Sequence, residues 1–264
     1  MPHSIKHTLL RMGYRTEVGR VRERNEDSLG WSEPDNKNQA LDTNGWLYVV
    51  ADGMGGHAAG EVASKIAIDV VVQEYQASHP PVEDALNQAI HAANLEIFHR
   101  NRSGAESGMG TTIVCAVIFG DKLYCAHVGD SRAYLLRNSQ LSPLTRDHSL
   151  VNDLLRSGTI TPEEAQDHPQ RHVLSRALGK KAEVLPEITG PMPIYAGDMI
   201  LLCTDGISGY LDDDQISYLL QANSNDPQVA ATALIQNADA EGGEDNATAI
   251  VVKIEKVIPV ESNS

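Results

Sequence analysis

Aromatic side chains are scarce: two Trp, two Phe and eight Tyr make up 5 % of the 264 residues. A ring-rich core is therefore excluded, and Val, Ile, Leu and Ala must fill the interior. Basic residues are also few, 21 Lys and Arg against 36 Asp and Glu, a formal charge of −15. That balance argues against a nucleic-acid binder, which needs a basic footprint to replace counterions on phosphates. Cysteine is limited to Cys115, Cys125 and Cys203, with no C-x-x-C pair to suggest zinc or redox chemistry. Each lies in an apolar, strand-like run, where free cysteine serves as a small core residue, and a reducing cytoplasm fits. No run approaches the ~20 apolar residues of a membrane span. The N-terminal residues lack the apolar stretch of a signal peptide, so a cytoplasmic protein is expected.

What is present suits a folded enzyme. Apolar residues make up 41 %, enough for a sizeable core. Without a Pro/Gly/Ser linker or an internal repeat, the chain reads as a single domain over 1–264. Loose termini are expected at 1–12 and 257–264, and a polar surface loop at 33–45. Strand-like runs lie at 46–51, 111–118, 122–128, 132–136, 199–204 and 247–254. Apolar residues at helical spacing predict helices over 60–76, 82–100 and 227–240. Short links at Gly120-Asp121 and Gly129-Asp130-Ser131 predict antiparallel pairing of the strands they join. The expected fold class is α+β, a sandwich of two antiparallel sheets flanked by pairs of helices. Residues 145–180 are polar and carry the capping-box start Thr161-Pro162-Glu163-Glu164. They read either as a small flap over the core or as an ordinary helical connection.

Four motifs place an aspartate at a strand end beside glycine or a small polar residue: Ala51-Asp52-Gly53, Gly129-Asp130-Ser131, Thr204-Asp205-Gly206, and Glu244-Asp245-Asn246 just before a strand. Clustered carboxylates raise one another's pKa values unless a cation compensates, and hard oxygen ligands suit Mg²⁺ or Mn²⁺. Asp-Gly is also a common hairpin turn. After Asp52-Gly53 and Asp205-Gly206, however, the sequence turns to glycine-rich or helical patterns. Asp130 joins two strands, so turn and ligand roles are both open, and Glu244-Asp245 reads equally as a loop. Arg22, close to Glu26-Asp27, is either a phosphate clamp or part of a solvated turn. His57, after two glycines, is a candidate proton donor or a surface histidine. Leu211-Asp212-Asp213-Asp214 lacks the glycine and ligand spacing of a calcium loop and reads as the acidic start of a helix. Gly53, Gly55 and Ala58 formally fit a dinucleotide-binding fingerprint, which leaves a nucleotide-cofactor oxidoreductase as the alternative. Asp52 would face the pyrophosphate there, and the later strands do not read as βαβ units.

In order and spacing, these residues resemble the metal-dependent protein phosphatases, the type 2C serine/threonine phosphatases, in their compact bacterial form. The likeness runs from about Thr16 to Ile254 through Arg22…Asn25-Glu26-Asp27, Val50-Ala51-Asp52-Gly53-Met54-Gly55-Gly56-His57, Gly110-Thr111-Thr112, His127-Val128-Gly129-Asp130-Ser131-Arg132, Cys203-Thr204-Asp205-Gly206 and Asp245-Asn246. The resemblance implies two Mg²⁺ or Mn²⁺ ions. Asp52 would bridge them, the Gly53 carbonyl would bind one, and Asp205 and Asp245 would hold the other. Glu26 and Asp27 would act through bound water, and Asp130 with Asp205 would form a weaker third site. Arg22 would bind the substrate phosphate, and 145–180 would be the family's flap. A metal-bridging hydroxide would attack the phosphate ester of a phosphoserine or phosphothreonine in a protein. His57 or a metal-bound water would protonate the leaving alkoxide. Two departures stand out: Gly209 replaces an acid found in some members, and Met54 stands where animal members have histidine. The remaining alternative is a catalytically silent phosphoprotein-binding module, which would be expected to lose its metal carboxylates. A monomer in signal transduction, with phosphorylated proteins as substrates and no nucleic-acid or membrane partner, completes the expectation.

Overall fold

The central strands are apolar on both faces, and a computed structural model explains why. It describes residues 6–34, 45–55, 59–79, 81–102, 108–166 and 168–259. Along β3 (Trp46–Met54), Leu47, Val49 and Ala51 pack against α1 (Ala59–Ala77) and α2 (Val82–Arg102). The alternate residues Trp46, Tyr48 and Val50 enter a second cluster with Ile200, Leu202, Ile250 and Val252. Leu201, Cys203, Ala249 and Val251 belong to a third cluster, shared with α6 (Asp213–Ala222) and α7 (Pro227–Glu241). The result is four layers, helices–sheet–sheet–helices. Strands covered on both faces read as unbroken apolar runs. Each buried Leu, Ile or Val contributes about 1.5–3 kcal/mol relative to exposure.

One sheet has the order β1 (Lys6–Glu17), β11 (Ala247–Pro259), β10 (Met199–Cys203), β7 (Arg132–Arg137), β8 (Gln140–Pro143). The other runs β2 (Asp27–Ser32), β3, β5 (Ile113–Phe119), β6 (Lys122–Val128), β9 (Glu187–Pro193), with the short β4 (Gly110–Thr111) on β3. Every pairing is antiparallel. β3 lies between antiparallel neighbours, so the βαβ setting that a dinucleotide fingerprint requires is absent around Gly53. Cys115, Cys125 and Cys203 are buried and free, as expected. Among the described residues no helix is long and apolar enough to cross a membrane.

Three expectations need correction. The loose end assigned to 1–12 is largely β1, an edge strand paired with β11 from Lys6↔Pro259 to Glu17↔Ala247. The same pairing carries β11 to Pro259, into the segment 257–264. Apolar and polar residues do not alternate cleanly along this edge, where Leu9 and Tyr14 are exposed and Thr8 is buried, and this hid the strand. The link Gly129-Asp130-Ser131 is not a hairpin, because β6 and β7 belong to different sheets and the chain crosses between layers there. Strands β2, β8 and β9 escaped the pattern. Gly30 interrupts β2 where Ile68 of α1 approaches so closely that a Cβ would overlap it. β9 carries Gly190, Pro191 and Pro193 at a sheet edge, where proline is tolerated. Most of the loop expected at 33–45 lies outside the described residues.

The helices follow the sequence closely. Asp212 caps α6 in a capping box with Gln215, so Leu211-Asp212-Asp213-Asp214 is a helix start. Asp226 accepts from the Gln228 and Val229 amides at the start of α7, with Pro227 at its first position. Within 145–180 lie α3 (Leu150–Arg156) and α4 (Pro162–Gln166), the latter capped reciprocally by Thr161 and Glu164 as read. Asp205 opens the short α5 (Asp205–Ser208).

Candidate functional site

The strand pairings bring the carboxylates to one end of the sandwich. Asp27 faces Asp52 across the β2–β3 pair. Asp205 follows β10 and Asp245 precedes β11, at the same end of the neighbouring sheet. Arg22, Glu26, Asp52, Gly53, Asp130, Asp205 and Asp245 line one cavity of about 1000 Å³. Asp27 lies beneath it, 8 % exposed, accepting from Thr204 Oγ1 at 2.9 Å.

Each group is held from behind. The Asp52 amide donates to Thr112 Oγ1 at 2.9 Å, and the Asp52 carbonyl accepts from the Thr112 amide and Thr111 Oγ1. Gly53 has no room for a side chain: a Cβ would overlap the Gly60 and Glu26 carbonyls. Gly129 has φ +110°, a region that favours glycine, and a Cβ there would strike Thr112. That turn directs Asp130 into the cavity. The loop carrying Arg22 is fastened by Asn246, whose Oδ1 accepts from the Glu26 amide at 2.7 Å. Its Nδ2 donates to the Val18 and Arg24 carbonyls at 2.9 Å each. Arg22 Nη2 then reaches Asp245 Oδ2 at 2.8 Å.

Electrostatically the cluster is incomplete as a protein-only site. Burial, reinforced by Asp205 and Asp245 despite threonine hydrogen bonds, pushes the Asp27 carboxyl up to about 7. Burial, then Asp205 and Asp147, does the same for Asp130, also to about 7. Burial followed by Asp27, Asp205 and Asp130 lifts Asp52 well above the usual range. Asp205 is raised by burial and by Asp245, and it shares a hydrogen bond with Asp52. Glu26 is raised mainly by burial. Among the described residues, the buried Asp27 Oδ1 and Asp205 Oδ1 have no hydrogen-bond partner. A desolvated carboxylate oxygen without a donor is costly. Several such oxygens converging in an all-oxygen donor set fit hard divalent cations such as Mg²⁺ or Mn²⁺.

Eight of the residues singled out in the sequence therefore meet: Arg22, Glu26, Asp27, Asp52, Gly53, Asp130, Asp205 and Asp245. His57 lies outside the described residues. Sequence reasoning missed the fastening role of Asn246 and the supporting role of Thr112, although both stand in the quoted motifs. It gave 145–180 as a flap but did not single out Arg176 and Lys180, which line the cavity together with His172. Bridges Ser149↔Leu174 and Thr111↔Leu178 pin that segment down. Isolated bridges of this kind leave no periodic signal.

A second group, His127, His148 and Glu187, brings three ligand atoms within 4.8 Å of one another. Its nitrogens are committed elsewhere. His127 Nε2 lies 2.7 Å from the Arg146 carbonyl, and His148 Nδ1 accepts from the Gly129 amide at 3.2 Å. Arg176 Nη1 stands 3.3 Å from His148 Nε2, where a metal ion would have to approach. We read this group as a hydrogen-bonded support.

Comparison with known proteins agrees with the geometry. The family model described as protein phosphatase 2C matches residues 14–154. The chain is 38 % identical over 246 residues to the serine/threonine phosphatase stp of Listeria monocytogenes, covering 91 % of this chain and 94 % of that one. It superposes on the S. agalactiae serine/threonine phosphatase with a TM-score of 0.85 at 31 % identity, covering 94 % of this chain and all of the other. The catalytic domain of the phosphatase PstP, solved in complex with two manganese ions, gives a TM-score of 0.78 at 36 % identity, covering 94 % and 99 % of the two chains.

Proposed function

The chain belongs to the protein phosphatase 2C family, and from that premise we propose that its acid-lined cavity hydrolyses phosphoserine and phosphothreonine in proteins with the help of Mg²⁺ or Mn²⁺. The observation that carries this reading is the convergence of Asp27, Asp52, Asp130, Asp205 and Asp245 from two sheets, with buried carboxylate oxygens unpaired. Asp52, the Gly53 carbonyl, Asp205 and Asp245 would hold two ions. Asp130 with Asp205 would hold a third more weakly, and Glu26 and Asp27 would bind through water. When bound, the ions supply Lewis-acid charge and a water acidified towards neutrality as the nucleophile on phosphorus.

The rest of the work falls to the chain. Arg22, on a loop fastened by Asn246, offers a guanidinium to the phosphate oxygens and offsets their charge. Thr111 and Thr112 fix the backbone of Asp52, so its carboxylate needs little reorganisation on loading. The leaving alkoxide requires a proton, and His57 is the candidate donor by sequence. One catalytic domain spans the chain, with 145–180 as the flap beside the site. The deciding experiment is hydrolysis of p-nitrophenyl phosphate and a phosphoserine peptide, each with chelator and with chelator followed by excess Mn²⁺. Activity should vanish and return, and full activity in thoroughly stripped protein would sink the reading.

A further inference from the structure

Arg176 is a half-buried cation on the cavity wall, without a carboxylate partner among the described residues. Its one polar contact among the described residues is the His148 ring, with Nη1 3.3 Å from Nε2. That contact is poor. The Gly129 amide points at His148 Nδ1 from 3.2 Å, which makes Nδ1 an acceptor. The ring hydrogen is then on Nε2, with Glu187 Oε2 3.5 Å away. With a hydrogen on Nε2, no lone pair faces the guanidinium. The opposite tautomer would serve Arg176 but break the Gly129 contact and set a lone pair against the Glu187 carboxylate.

The neighbouring cations are differently placed. Arg22 is ion-paired with Asp245, and Lys180 donates to the Gly108 carbonyl at 2.6 Å. The backbone around Arg176 is fixed on both sides. The Ser175 amide donates to the His148 carbonyl at 2.8 Å, and Leu178 exchanges hydrogen bonds with Thr111. Arg176 is thus a pre-positioned guanidinium, lacking a good acceptor among the described residues, in the cavity that contains the acid cluster. The chain carries a formal charge of −15, so leaving a cavity arginine unpaired is conspicuous.

We propose that Arg176 is a second oxyanion subsite, which takes the carboxylate or phosphate of an acidic residue flanking the phosphoserine or phosphothreonine of the substrate. This rests on the phosphatase reading and narrows its substrate class to phosphopeptides with an acidic neighbour. A planar guanidinium matches a two-oxygen anion, and its partial burial limits screening by water. Arg176 acts in binding and touches no reacting atom, so its effect falls on kcat/KM through KM.

The test compares matched phosphoserine peptides with Ala or Asp beside the phosphoserine, hydrolysed in saturating Mn²⁺. The parent enzyme should favour the Asp peptide by about three- to tenfold in kcat/KM. In Arg176→Gln that ratio should fall to near one, and Arg176→Lys should keep part of it. The ratio compares two substrates on one protein, so a general loss of activity in the variant cancels. A third arm needs no variant: on the parent enzyme the preference should shrink as salt rises from about 0.02 to 0.5 M. Equal rates on the two peptides, or an unchanged ratio in Arg176→Gln, overturn the subsite alone. No hydrolysis of either peptide removes the phosphatase reading and the subsite together.

Discussion

Arg22 and Asp245 form an ion pair, Nη2 to Oδ2 at 2.8 Å, across the mouth of the acidic cavity. The cation proposed to hold the substrate phosphate is therefore paired with a carboxylate proposed to hold metal. The two side chains are 51 % and 34 % exposed, so the pair is partly screened and worth little as a stability element. As a coupling it would matter more: loading the carboxylate with a divalent ion would free the guanidinium for the phosphate.

Arg22→Ala should raise KM about tenfold and weaken inhibition by inorganic phosphate to match. It should also tighten Mn²⁺ binding in the absence of substrate by about two- to fivefold, because a competing positive charge is gone. Calorimetric Mn²⁺ titration of parent and variant measures the second effect. Looser metal binding in the variant would mean that the pair preorganises Asp245 and does not compete for it.

Asp52→Ala, Asp205→Ala and Asp245→Ala should each cost on the order of 10²-fold or more in turnover. In chelator, Asp205→Ala should melt no lower than the parent, since the deletion removes a buried oxygen without a donor and relieves its repulsion with Asp245. Kinetics and melting curves on the same preparations check both halves. A near-normal kcat for Asp52→Ala with the usual metal requirement would dismiss the bridging role.

Asp130→Ala separates two roles for one residue. If Asp130 helps to hold a weak third ion, the variant should need more Mn²⁺ for half-maximal activity, by mass action, with lower turnover. If Asp130 serves only the crossing between β6 and β7, melting temperature should fall while the Mn²⁺ activation curve stays in place.

The pH dependence of stability carries its own sign. Asp27 and Asp130 titrate near 7 in the folded protein and near 3.9 when unfolded. The folded state therefore binds more protons, and the chelated protein should lose stability as pH rises from about 4 through 7. His127 and His148 act in the opposite direction at lower pH, because burial pulls both pKa values down, that of His148 to about 4. The clean window is pH 6.5 to 8. There the melting temperature in chelator should decline, and the gain on adding Mn²⁺ should be largest at pH 8. Melting in chelator that rises across that window would contradict the raised carboxylates.

Most of this site was legible because its acids sit where strand patterns stop. Asp52 and Asp205 stand at the ends of apolar strand runs and Asp245 just before one, and such runs mark strands buried on both faces. The edge strands were not legible for the same physical reason in reverse. β1 mixes apolar and polar residues on its exposed side, with Leu9 and Tyr14 in solvent, and β9 carries two prolines. The misread crossing at Asp130 shows a further limit, since a three-residue link looks the same whether its strands pair or lie in different layers. The Arg176 wall depends on bridges to residues 25 and 67 positions away in sequence, Ser149↔Leu174 and Thr111↔Leu178, which no local pattern encodes.

The pairing of β1 with β11 has a consequence for how the molecule comes into being. The earliest described strand takes the last one as its partner, and β11 also sits between β1 and β10. During synthesis, β1 and the open side of β10 must wait until residues 247–259 have left the ribosome. Pairings of such long sequence separation form slowly, and waiting strands are open to association with other chains. A nascent chain stopped before Asp245 would lack a carboxylate, the Asn246 fastening and the strand that joins the two halves of its sheet. Expression of the gene should therefore be more sensitive to late truncation and to chaperone supply than the stability of the finished protein would suggest.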